Sequence, residues 1–162
     1  MIQFISLSSG SNGNCYYLGN EQTALLIDVG IGGRTIKKRL EDNNLSISNV
    51  QMILVTHNHI DHIKYLGSVV DRLSVPVYAP SGIHQALEVH PCTKGTMNGC
   101  KRVIKKETFV QNRGVKFVAF DVPHDAVETV GYYIDFFGEK FVFMTDLGEV
   151  PEAAMEYCRM AD

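Results

Sequence analysis

The stretch Val55-Thr56-His57-Asn58-His59-Ile60-Asp61-His62 places three imidazoles and a carboxylate within six residues. It follows without a break on the apolar run Met52-Ile53-Leu54-Val55, which has the length of a short buried strand. Open α/β sheets hold their ligands just beyond the carboxyl ends of strands. Run and loop together therefore ask for a sheet with the histidines at one edge. Imidazole mixed with carboxylate suits Zn²⁺, Mn²⁺ or Fe²⁺ rather than Ca²⁺. A solvated turn that happens to be rich in histidine is the competing interpretation, and the weaker one.

A sheet that delivers one metal loop should deliver other donors to the same edge. Two candidates follow apolar strands: His124, after Val118–Val122 and Pro123, and Asp146, after Phe141–Met144 and Thr145. Taken alone, His124 could be an ordinary imidazole and Asp146 a helix N-cap. Beside the histidine loop they become candidate ligands. Asp28, at the end of the run Thr23–Ile27, and Asp125, beside His124, are candidates to orient imidazoles from behind, with loop or capping duty as the alternative. His84 and His90 lie on an expected helix away from strand ends and are taken as structural.

The rest of the chain fits around that edge. Residues 2–8 alternate as a strand, and 15–18 with 23–28 form a hairpin. Residues 35–43 form a helix with Ile36 and Leu40 on one face. A helix starts near His62, with Ile63, Leu66, Val69, Val70 and Leu73 at helical spacing. A strand at 75–79 and a helix running to about His90 come next. Strands follow at about 101–105, 107–110, 115–120, 129–136 and 140–144, then a helix over 149–160 with Pro151 in its first turn. This order predicts helices packed outside a mixed sheet, an α/β (α+β) fold. The loop Ser8–Asn14 offers backbone N–H groups and hydroxyls to a phosphate, or serves as a plain turn.

At 162 residues and 45% hydrophobic the chain can bury a core and is expected to form one domain, residues 1–162. A net charge of −3 argues against a surface wrapped in nucleic acid, although Arg34–Arg39 and Lys101–Lys106 form local basic strips. No apolar stretch approaches the roughly 20 residues that span a bilayer. No signal-peptide pattern opens the sequence, and the four cysteines lack Cys-x-x-Cys spacing. Free thiols and a cytoplasmic location are expected.

His57-x-His59-x-Asp61-His62 with a later histidine and a later aspartate resembles the metallo-β-lactamase superfamily. Ser8-Ser9-Gly10-Ser11-Asn12-Gly13-Asn14-Cys15-Tyr16, His124-Asp125-Ala126 and Val130-Gly131-Tyr132 are similar to its YycJ-like branch of nucleases and phosphodiesterases. The resemblance covers essentially the whole chain. It implies a metallo-β-lactamase-like αββα sandwich with a dinuclear metal centre, zinc for preference and Mn or Fe as alternatives. His57, His59 and His124 would hold one ion, Asp61 and His62 the second, and Asp146 would bridge them. The implied activity is phosphodiester hydrolysis by a metal-bound hydroxide that Asp61 orients, with nucleic acid as the substrate. Thioester or lactam hydrolysis, or metal binding without turnover, are the alternatives.

Members of the superfamily usually supply one more histidine to the second ion, whereas no histidine follows His124 and the chain ends 16 residues after Asp146. The expectation is a C-terminally incomplete domain with its second half only partly present. The second metal site should then be weak, and a sheet edge near 140–144 should be open to a homo-oligomeric contact.

Overall fold

A computed structural model describes residues 1–123, 128–145 and 150–162. Strands β1 (Gln3–Ser8), β2 (Cys15–Gly19) and β3 (Ala24–Ile27) pair antiparallel, Ser6 opposite Tyr16 and Tyr17 opposite Leu26. All four residues of β3 are buried, the pattern of a strand covered on both faces. The chain then crosses through helix α1 (Gly33–Glu41), whose Ile36 and Leu40 turn inward four residues apart. It returns as β4 (Val50–Leu54), parallel to β3, with Leu26 opposite Ile53.

A single helix from His62 through Leu73 does not form. It is broken into α2 (Ile60–Ile63) and α3 (Leu66–Leu73). The reason lies in one carbonyl. In a continuous helix Tyr65 N–H would bond the Asp61 carbonyl four residues back. Here the Asn14 amide takes that carbonyl at 2.7 Å, and Tyr65 N–H donates to Val29 O at 3.1 Å instead. Strand β5 (Val77–Pro80), helix α4 (Ser81–Val89) and strand β6 (Lys101–Ile104) complete the first sheet, order β1-β2-β3-β4-β5-β6.

The second sheet is antiparallel, with order β10-β9-β8-β7. Its strands are β7 (Val110–Asn112), β8 (Val115–Asp121), β9 (Val130–Phe136) and β10 (Glu139–Phe143). The strand expected at 107–110 starts later because Glu107 takes a positive φ of 65° and donates its N–H to Ala119 O. Side chains of β8 alternate as a two-sided sheet requires. Val115, Phe117 and Ala119 join the large core with the first sheet, while Val118 and Phe120 face the other way. That outer face receives α5 (Glu152–Met160) through Ala154 and Tyr157, the Tyr157 ring stacked on Phe120 at 4.8 Å. Fully buried rings such as Phe117 and Tyr132 each contribute roughly 1.5–3 kcal/mol by leaving water.

The layers are helix, sheet, sheet, helix, as expected. On the outer edge of β10, Lys140 N–H donates to the Asp162 carboxylate at 2.8 Å, and Asp162 N–H to Lys140 O at 2.9 Å. Among the described residues, no helix is long and apolar enough to cross a membrane.

Candidate metal centre

Strands β3 and β4 run parallel, so their carboxyl ends bring Asp28 and Thr56 side by side. Asp28 sits in the left-handed region at φ 62° and is wholly buried. That strained conformation aims its carboxylate across at the next strand end. Oδ1 accepts Thr56 N–H at 2.8 Å, and Oδ2 accepts the Thr56 hydroxyl at 2.6 Å. His62 Nδ1 lies 2.7 Å from the same Oδ2. A carboxylate can only accept, so His62 carries a proton on Nδ1 and turns Nε2 away from Asp28.

The same hydrogen count settles His57. Its Nδ1 lies 2.9 Å from Thr56 Oγ1. The single hydroxyl proton of Thr56 already points at Asp28, so His57 Nδ1–H is the donor and Nε2 faces away from Thr56. Two buried imidazoles are thus held by Nδ1 in the orientation that presents Nε2 to a cation. The His57 ring centroid lies 4.1 Å from that of His62 and 4.7 Å from that of His59. Ligand atoms of Asp28, His57 and His62 fall within 4.8 Å of one another. Because the Asp28 oxygens already take three donors, its part is to orient imidazoles, as a carboxylate behind a metal-bound histidine does.

Asp61 stands between this buried group and solvent, its side chain 30% exposed and its Oδ2 3.8 Å from His62 Nε2. Asn14 holds it. The Asn14 side-chain oxygen accepts Gly10 N–H at 3.1 Å and the Tyr16 hydroxyl at 3.3 Å, which turns Nδ2 toward Asp61 Oδ2 at 3.1 Å. Gly30 makes the approach possible: a Cβ there would lie 1.9 Å from the Asp61 carbonyl oxygen. Sequence inspection missed Asn14 as a positioning residue, because nothing in a turn-rich loop says which side chain folds back. Two of the loop's amides, Gly10 and Gly13, are engaged within the loop itself. A cleft of about 440 Å³ opens beside Asp61, lined by Asn14, Tyr16, Ser9, Ser11 and Thr145 among others. A larger cavity of about 520 Å³ lies against α3 and the 92–100 loop, and none of the histidines lines it.

The structure therefore brings His57, His59, Asp61 and His62 together. His124, Asp125 and Asp146 lie outside the described residues. Their flanks are tied to the site. Val130 N–H donates to Thr56 O at 2.9 Å, and the Tyr132 hydroxyl to Val55 O at 2.7 Å. Lys106 spans Asp121 at 2.9 Å and Glu128 at 2.8 Å, one on either side of the segment that carries His124. Thr145, next to Asp146, lines the same cleft as Asp61. His84 is structural, its Nε2 placed between the carbonyls of Val77 and Arg102. The donor set fits a divalent cation of the zinc type, with imidazole nitrogens fixed from behind and a carboxylate in front.

Two sheets face to face, helices outside and a histidine cluster at the strand ends define a metallo-β-lactamase-type fold. The profile of the beta-lactamase superfamily domain matches residues 23–162, and the chain belongs to that superfamily. It is 34% identical over 152 residues to exodeoxyribonuclease YycJ of Bacillus anthracis, covering 93% of this chain and 56% of that protein. It is 30% identical to exodeoxyribonuclease WalJ of Streptococcus pneumoniae, covering 99% of this chain and 60% of that one. A metallo-β-lactamase of Cronobacter sakazakii shares the fold at a TM-score of 0.72 and 14% identity, covering 90% of this chain and 59% of that chain. The chain thus spans a little under two thirds of the length of the relatives it matches.

Proposed function

We propose that this chain carries the metal centre of a hydrolase that cleaves phosphodiester bonds in nucleic acid. The observation that carries the proposal is the pair of buried imidazoles held by Asp28 and Thr56 beside an Asp61 that Asn14 turns toward an open cleft. The names of the two bacterial relatives favour DNA as the substrate class. In this reading His57, His59, His124, Asp61, His62 and Asp146 would hold the divalent ions, zinc being the best match to the donors. Bound ions would supply Lewis acidity and an acidified water.

The chain's own residues do the rest. Thr56 and Asp28 hold both rings by Nδ1 and so keep both Nε2 atoms on the ligand side. Asn14 leaves Asp61 one oxygen with which to orient the attacking water. The cleft beside Asp61 admits the chain to be cut.

End-labelled single-stranded DNA incubated with zinc- or manganese-loaded protein tests this. Stepwise release of mononucleotides, lost in His59→Ala at unchanged secondary structure, is expected. Turnover of an acyl thioester with no cleavage of DNA, RNA or bis-nitrophenyl phosphate would overturn it.

A further inference from the structure

We propose that the cleft beside Asp61 is a subsite for the phosphate adjacent to the one at the metal centre, and that it binds this phosphate through neutral hydroxyl donors. The inference rests on the phosphodiesterase reading above and names what holds the substrate there. Four hydroxyl side chains line the cleft: Ser9, Ser11, Tyr16 and Thr145. Ser9 and Ser11 are exposed on the β1–β2 loop. Thr145 reaches the same space from the end of β10. Its Oγ1 is turned away from solvent and has no hydrogen-bond partner among the described residues, and a rotation about χ1 would present it to the cleft. A buried hydroxyl left in that state is destabilising until something accepts its proton. The Tyr16 hydroxyl holds its partners, Ser9 Oγ and Asn14 Oδ1, only at 3.3 Å each, so it can turn to a better acceptor.

No lysine or arginine lines the cleft among the described residues. Phosphate offers several acceptor oxygens and no obligatory donor when ionised, which matches a ring of hydroxyls. Recognition by hydroxyls alone has a consequence that recognition by cations lacks. Each phosphate neutralised by a cation steepens the fall of log affinity with log salt by about 0.7 for single strands. A hydroxyl cradle adds nothing to that slope.

Calorimetry on the zinc-loaded protein with thymidine 3′,5′-bisphosphate and thymidine 5′-monophosphate tests the subsite, since neither ligand contains a phosphodiester bond to be cut. The bisphosphate is expected to bind roughly ten-fold tighter, the margin of one or two neutral hydrogen bonds. Ser9→Ala combined with Thr145→Val should erase most of that margin. Both changes are small, and circular dichroism reports whether the fold survives. An equal margin in the variant, or no margin in the wild type, overturns the proposal. Failure to cleave DNA with the margin intact would count against the proposed reaction and not against the subsite.

Discussion

At the scale of single residues, the site depends on a carboxylate that reaches no substrate. Asp28 is buried, conformationally strained and bonded to Thr56 and His62, so it fixes which nitrogen each imidazole presents. Asp28→Asn keeps the shape but puts an amide N–H where only acceptors fit, facing either the Thr56 amide or His62 Nδ1–H. Losing a carboxylate behind a metal-bound histidine typically weakens metal binding about 10- to 100-fold. Zinc competition against a chromogenic chelator should show that loss for Asp28→Asn, and an unchanged affinity would remove Asp28 from the centre. The importance of Asp28 was partly legible beforehand, because it ends an apolar strand run. Its left-handed backbone and its bond to Thr56 were not, since they follow from which strand lies alongside.

Among the elements, β5, α4 and β6 are joined by His84, whose Nε2 sits 3.1 Å from Val77 O and 3.0 Å from Arg102 O. Burial is the main cause that holds its pKa below the ordinary value of 6.5, the two carbonyls opposing it. A base whose folded pKa is depressed takes up its proton more readily in the unfolded chain. Its contribution is therefore fully present above pH 6.5 and is lost as the pH falls from there toward the folded pKa. Urea titrations from pH 7.5 down to 5 should show stability falling across that window, and His84→Gln should flatten the fall. A variant with the same slope as wild type would place the acid sensitivity elsewhere. The helix periodicity that put His84 on α4 was readable in the sequence. The break between α2 and α3 was not, because the residue that takes the Asp61 carbonyl, Asn14, lies 47 positions upstream.

For the whole molecule, the metal centre is built where the two sheets meet. Thr56 at the end of β4 accepts the Val130 amide of β9, and Tyr132 of β9 donates to Val55, so occupancy of the site bears on the packing of both sheets. A ligand that binds only the folded state adds about 2.7 kcal/mol at a hundred times its dissociation constant. At roughly 2–4 °C per kcal/mol for a chain of this size, zinc should raise the melting temperature by about 5–10 °C and EDTA should reverse it. A melting curve indifferent to zinc and chelator would mean that the histidine group holds no ion.

What the sequence determined by itself was the motif, the strand that presents it and the fold class. These are local: hydrophobic period, residue type and short spacing carry them. His57, His59, Asp61 and His62 lie within six consecutive positions, and any sheet that buries Met52–Leu54 must deliver them together. Only the tertiary structure decided which group steers each of them. Thr56 and Asp28 set how two imidazoles are held from adjacent strand ends, and Asn14, from the loop between β1 and β2, holds Asp61. The physical reason is directional. A hydrogen bond is made at about 3 Å or not at all, so these assignments exist only once distant segments have been brought to fixed positions.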